Sequence, residues 1–159
     1  ILLALLANLK KASGTGVDLS EKALEVAQRN GRELEIEASW VQSNLFDKVS
    51  GTYDIIVSNP PYIETAVIEG LMDEVKLYEP RMALDGTEDG LFFYREITAQ
   101  AGKYLNHNGI LAFEIGYNQG KAVSEFMKKN GYEEVQVLQD LAGLDRVVTG
   151  RIKKEEQHV

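Results

Sequence analysis

The 159-residue chain contains no cysteine, and its only histidines are His107 and His158. Disulfide frameworks, thiolate nucleophiles and Cys/His metal sites are therefore set aside, and no metal is expected. Positive charge is also scarce. Seventeen Lys and Arg against 25 Asp and Glu leave a formal net charge of −8 at pH 7, so no phosphate-neutralising surface is expected and binding to a nucleic-acid backbone is electrostatically opposed. Long apolar runs are missing too. The opening segment "ILLALLANLKKA" is apolar for about two turns and then basic, too short to span a membrane and without the charged start of a signal peptide. It reads as a buried helix that begins in mid-pattern, without an initiator methionine, as though an earlier piece of chain preceded it. Proline occurs only three times, and two of the three are adjacent, at Pro60 and Pro61.

With 44 % hydrophobic residues, the chain has enough apolar material for one compact domain, expected over residues 1–152, with "KKEEQHV" at 153–159 as a frayed tail. Periodicity alternates between strand and helix. "TGVDL" reads as a strand, "SEKALEVAQRNG" as a helix with Ala23, Leu24 and Ala27 inward and Gly31 as its stop, and "IEASWVQ" as a second strand. The unbroken Ile55, Ile56, Val57 run in "YDIIVSN" suits a strand covered on both faces. Further on, a helix is expected near residues 71–77, a turn at "EPRMALDGTEDG", a helix through "LFFYREITAQAGKYL" ending at "NHNG", and a strand "ILAFEIG". The helix "NQGKAVSEFMKKNG" and an antiparallel pair, "YEEVQVLQD" with "LDRVVTGRI", close the chain. The whole predicts an α/β fold: a mostly parallel sheet with an antiparallel C-terminal pair and helices on both faces.

The stretch "IIVSNPPYIE" at residues 55–64 raises the chemical question. In open α/β sheets the ligand crevice lies beyond the carboxyl ends of the strands, which is where Asn59 falls. Asn59 and Pro60 each precede a proline, so both are driven to extended backbone, and neither proline carries an N–H. The product is a stiff corner that displays acceptors. The Asn59 side-chain carbonyl and the Pro60 main-chain carbonyl suit the two N–H bonds of a planar NH2 group, as methylation of an amide or aryl amine requires. Tyr62 can pack on a flat substrate group and near a sulfonium cation. The competing reading is an ordinary Asn-Pro turn.

"SNPPYI", with "VDLSEKALEVAQRN" upstream and "EPRMALDGTEDGLFFYREI", "FEIGYNQG" and "DLAGLDRVV" downstream, resembles the release factor glutamine methyltransferases, the HemK/PrmC family, over nearly the whole chain. The Asn-Pro-Pro-Tyr tetrad alone is shared with adenine-N6 DNA methyltransferases; the downstream segments narrow the resemblance. It implies a Rossmann-like class I fold, S-adenosylmethionine as donor and S-adenosylhomocysteine as product. The implied acceptor is the glutamine amide in the Gly-Gly-Gln motif of class I peptide chain release factors, and the implied location is the cytoplasm. On this reading Asn59 and Pro60 hold the amide nitrogen, Pro61 and Tyr62 shape the slot, and no strong general base is needed.

The same resemblance implies cofactor contacts from Asp18, Asn44, Leu45 and Asn59. Asp18 follows a strand, where a carboxylate can accept both ribose hydroxyls; its alternative is a helix cap in competition with Ser20. Asn44 stands where the family more often has an acidic residue, and Leu45 would cover the adenine. Glu79, Pro80, Asp89, Gly90 and Glu114 are weaker candidates, and Asp145 with Arg146 is expected to form a structural pair.

A glycine-rich loop between first strand and first helix, which the resemblance requires, is not found. "SGTG" at 13–16 follows a helix and enters a strand, the reverse of the needed order. The missing strand belongs between "TGVDL" and "YDIIVSN", so two bare strand edges are expected. Two other readings remain open: an adenine-N6 nucleic-acid methyltransferase, and a non-catalytic fragment without its cofactor loop. A ribosomal-protein glutamine is an alternative acceptor.

Overall fold

The computed structural model describes residues 1–71 and 80–153. They form two compact units, Ile1–Ser50 and Gly51–Val159.

In the first unit, helix α1 (Leu2–Asn8) leads to strand β1 (Thr15–Asp18), helix α2 (Glu21–Glu33) and strand β2 (Ser39–Gln42). β1 and β2 pair in parallel, Thr15 opposite Ser39 and Asp18 opposite Gln42, so their carboxyl ends finish level. α2 starts at Ser20, whose side chain accepts the Ala23 N–H, and it buries Leu24 and Gly31. Gly31 does not stop the helix, as its residue type suggested. It lies inside α2, where a β-carbon would come within 3.2 Å of the Ile36 carbonyl, so glycine is present for close packing. The stop comes at Glu35, in left-handed backbone at φ 54°, with the Ile36 N–H closing onto the Gly31 carbonyl at 2.9 Å.

In the second unit, β3 (Tyr53–Ser58) is followed by two short helices, α3 (Thr65–Ile68) and α4 (Arg81–Leu84). Then come α5 (Phe92–Ala101), β4 (Leu105–Glu114), α6 (Gly120–Lys129), β5 (Tyr132–Gln139) and β6 (Asp145–Ile152). The helix expected near 71–77 and the expected tail, apart from Leu71 and Lys153, lie outside the described residues. The four strands run in the order β3-β4-β6-β5. β3 is parallel to β4, while β6 is antiparallel to both β4 and β5, the antiparallel C-terminal pair the pattern predicted.

α5 and α6 pack on each other and on this sheet. Between them lies the core: Tyr94, Ile97, Leu111, Phe113, Val123, Met127 and Val148 are all buried. The Tyr94 ring meets Phe113 edge to face, centroids 5.2 Å apart, a favoured aromatic geometry.

Two expectations change. The helix ends at Ala101 rather than at "NHNG", because the Tyr104 carbonyl already accepts the Tyr53 N–H at 2.8 Å and the chain there belongs to the sheet. β3 is not covered on both faces: Ile55 is 49 % and Val57 39 % exposed. β3 is an edge strand, and among the described residues no strand pairs with its outer side. Among the described residues the β1–β2 pair and the four strands form separate sheets.

Candidate active site

The carboxyl ends of β3 and β4 finish together, Ser58 opposite Phe113, and Asn59 is the first residue past that edge. Its side chain is exposed and has no hydrogen-bond partner among the described residues. Pro60 behind it is buried; Pro61 and Tyr62 are half-buried. Asn59, Pro60, Tyr62 and Ile63 face Ala83 and Leu84 of α4 across a cleft of about 180 Å³, room for a side-chain-sized group.

The corner is held by the segment that follows α4. The Ile63 N–H donates to the Leu84 carbonyl at 3.0 Å, the Gly86 N–H to the Ile63 carbonyl at 2.8 Å, and the Thr65 N–H to the Thr87 carbonyl at 3.0 Å. Asp85 locks this arrangement. Its Oδ1 accepts the Thr65 hydroxyl at 2.6 Å and the Thr87 N–H at 3.0 Å, and Arg81 stands 3.7 Å from Oδ2. The Thr65 and Thr87 hydrogen bonds, with help from Arg81, hold the Asp85 carboxyl below the usual carboxylate range against the opposing effect of desolvation. Gly86 is where the two segments touch: a β-carbon there would lie 2.8 Å from Tyr62 Cα and 2.9 Å from the Pro61 carbonyl oxygen.

A buried amide completes the support. Gln119 Nε2 donates to the Tyr62 carbonyl at 3.0 Å and to the Gly90 carbonyl at 3.2 Å. Its Oε1 accepts the Gly116 N–H at 3.0 Å. Beside it, the Tyr94 hydroxyl donates to the Glu114 carbonyl at 3.0 Å, and burial, then the nearby Tyr62 and Glu114, push its pKa far up. Tyr94 is thus a neutral donor at working pH.

The weaker candidates separate. Asp89 pairs with Arg95 at 2.7 Å and accepts the Leu91 N–H at 3.0 Å, so it tethers the start of α5. Gly90, at φ 67°, packs against the Tyr62 carbonyl. Pro80 is exposed at the start of α4, and Glu79 lies outside the described residues. Glu114 enters through its main-chain carbonyl. Arg146 pairs with Asp140 at 3.0 Å, not with Asp145, since neighbours on a strand point to opposite faces. Asp145 instead accepts from Gln139 at 3.1 Å.

In the first unit, Asp18 closes β1. Its Oδ1 accepts the Ser20 N–H at 2.8 Å while Ser20 itself caps α2, which decides between the two cap readings. The Asp18 carboxylate is exposed, with Oδ2 unpartnered among the described residues. The Ser43 N–H bonds to the Asp18 carbonyl at 3.0 Å, bringing the loop that carries Asn44 and Leu45 beside the end of β1. Leu45 has φ 48°, a left-handed backbone that costs a leucine on the order of 1–3 kcal/mol. Such strain concentrates at binding sites.

Gln119 and Asp85 were not singled out by sequence reasoning. Their partners are remote in the chain, Tyr62 being 57 residues from Gln119, and no local pattern carries that information. The only local sign was the recurrence of "FEIGYNQG" and "ALDGTEDG" among the segments of resemblance.

A cleft beyond the carboxyl ends of parallel strands is where open α/β sheets bind ligands, and comparison with known proteins narrows the fold. Residues 1–75 match the family described as Methyltransferase small domain. A methyltransferase structure from Pyrococcus furiosus superposes with a TM-score of 0.71 at 18 % identity, covering 96 % of this chain and 69 % of that one. The fold is therefore that of the class I methyltransferases.

Sequence relatives are more specific. The chain is 46 % identical over 154 residues to a release factor glutamine methyltransferase of Fusobacterium nucleatum, covering 95 % of this chain and 44 % of that protein. It is 44 % identical over 153 residues to one of Agrobacterium fabrum, covering 95 % and 53 %. Over nearly its whole length the chain is thus similar to release factor glutamine methyltransferases, and it spans about half the length of these relatives.

Proposed function

We propose that this chain is the catalytic part of a protein methyltransferase that moves a methyl group from S-adenosylmethionine to the side-chain N5 of the glutamine in the Gly-Gly-Gln motif of class I release factors. The observation that carries the reading is the corner itself. Among the described residues an unpartnered Asn59 and a proline-stiffened backbone stand at the carboxyl end of β3, beside a cleft of about 180 Å³, in a chain 95 % of which aligns with a release factor glutamine methyltransferase.

Bound S-adenosylmethionine supplies an electrophilic methyl group and leaves as S-adenosylhomocysteine. Residues suited to the nucleoside end of such a group are present in the first unit. Asp18 offers a free carboxylate oxygen, suited to ribose hydroxyls, and Asn44 with the strained Leu45 forms the adenine contact in this reading. Asn59 accepts one amide hydrogen of the target glutamine and the Pro60 carbonyl accepts the other. Acceptors in the plane of the NH2 group would fix that plane and leave the faces of the nitrogen free for attack. With the cofactor bound, this pair would hold the amide nitrogen where it could take up the methyl group, and the surplus amide proton would pass to water. Accepting both N–H bonds stabilises the positive charge that develops on nitrogen. Pro61 and Tyr62 wall the slot, and a general base is unnecessary because the proton is acidic once the methyl has added.

The place of action on this reading is the cytoplasm, where release factors work. Among the described residues no helix is long and apolar enough to cross a membrane.

The test is methyl transfer to a purified release factor. Wild-type protein is expected to label the Gly-Gly-Gln glutamine, and Asn59→Ala to lower turnover about a hundredfold, the usual scale for one preorganised polar contact. Equal turnover in the variant would remove Asn59 from the mechanism. Labelling of a ribosomal protein, with none of the release factor, would redirect the substrate.

A further inference from the structure

Gln119 occupies the N-cap position of α6, yet its side chain makes no capping bond. Short side chains such as Ser, Thr, Asp and Asn favour that position, so helix formation does not explain a glutamine there. Only 9 % of the residue is exposed. Its three side-chain hydrogen bonds run to three separate segments: the corner at Tyr62, the loop at Gly90, and Gly116 just past β4. An amide is the one side-chain group that donates twice and accepts from the same planar end. A carboxylate loses both donors, and a leucine leaves two carbonyls and an N–H buried without partners.

The geometric consequence falls on Pro60. Between the Pro60 carbonyl and the Tyr62 carbonyl the peptide planes are rigid and the Pro61 φ is locked by its ring, leaving few free torsions. Gln119 pins the Tyr62 carbonyl, and Leu84 pins the next amide at Ile63. Together they hold one peptide plane only three free torsions from the Pro60 carbonyl, which narrows the directions that carbonyl can take.

We propose that Gln119 is a positioning residue for methyl transfer, aiming the Pro60 carbonyl at the acceptor amide through the Tyr62 main chain. This rests on the reading of Asn59 and Pro60 as the amide-holding pair. Because about 1 Å of misplacement at a reacting centre costs on the order of a hundredfold in rate, the effect belongs in kcat.

The experiment compares Gln119→Glu and Gln119→Leu with wild type in the intact protein. Gln119→Glu keeps the shape and the acceptor for Gly116 and deletes both donors. Its kcat is expected to fall about ten- to a hundredfold, with S-adenosylhomocysteine affinity by calorimetry within about twofold of wild type. Because a protonated carboxyl regains one donor, its kcat is further expected to recover, relative to wild type, as pH is lowered. Wild-type kcat in either variant would overturn the proposal, as would parallel loss of kcat, cofactor affinity and thermal stability. If wild type itself fails to methylate the release factor, the functional reading falls, and positioning is then decided by hydrogen exchange. At least tenfold faster exchange of the Ile63 and Gly86 amides in the folded variants supports it, and unchanged exchange overturns it.

Discussion

The stiff corner at Asn59 was legible because the constraint that makes it is local: two prolines follow, and their rings dictate backbone direction without help from the rest of the fold. Gly86 was not, because its role is to let two distant segments touch. Replacing it with alanine would set a methyl group 2.8 Å from Tyr62 Cα. Gly86→Ala is therefore expected to destabilise the protein by about 1–3 kcal/mol, read as a lower urea midpoint, and to lower turnover as well. A neutral outcome on both would mean that the two segments are not in contact. Asp18 tests the other half of the reading. Losing one or two charge-assisted hydrogen bonds of about 1.5–3 kcal/mol each should weaken S-adenosylhomocysteine binding tenfold or more in Asp18→Ala, measured by calorimetry. Affinity equal to wild type would leave Asp18 as a turn residue bound to Ser20 and nothing more.

Strands and long helices followed from periodicity, while their ends and side-chain pairings did not. α5 stops at Ala101 because its next turn is claimed by a ladder bond to Tyr53, and Arg146 chooses Asp140 because adjacent strand residues face apart. The loop after α4 read as a plain turn, yet Asp85 makes it a clamp. Asp85 and Asp140 both sit below the usual aspartate range, Asp85 chiefly through the Thr65 hydroxyl and Asp140 chiefly through the Leu144 N–H, then Arg146. A folded-state pKa below the unfolded one adds stability at pH above the unfolded value, and that stability is lost as pH falls through the folded value. Both clamps therefore hold at neutral pH and release below about pH 4. Asp85→Asn should flatten the acid limb of a stability–pH curve monitored by circular dichroism. An unchanged acid limb would show that Asp85 is not linked to folding.

Across the whole molecule, acidic residues outnumber basic ones, 25 to 17. With a net charge of −8, release factor methylation should show none of the steep salt dependence that phosphate-backbone contacts impose. The bare side of β3 has the opposite character. Exposed Ile55 and Val57 lie on an edge strand, a template for edge-to-edge pairing. Purified chain is expected to scatter light increasingly with concentration, and Ile55→Lys to suppress this; equal scattering would place the contact elsewhere. The strand order also sets a folding sequence. β5 and β6 meet across a short turn at residues 140–144, whereas β3 must find β4 across a long loop, Ile55 against Ile110. Loop-closure entropy delays such distant parallel pairing, so β3 joins after the hairpin and β4 are in place. Ile55→Val should therefore speed unfolding and leave the refolding rate nearly unchanged. On this order the corner at Asn59 is expected to assemble after the rest of the four-stranded sheet and to be lost first, so a partly folded second unit would not present the amide-holding pair proposed above.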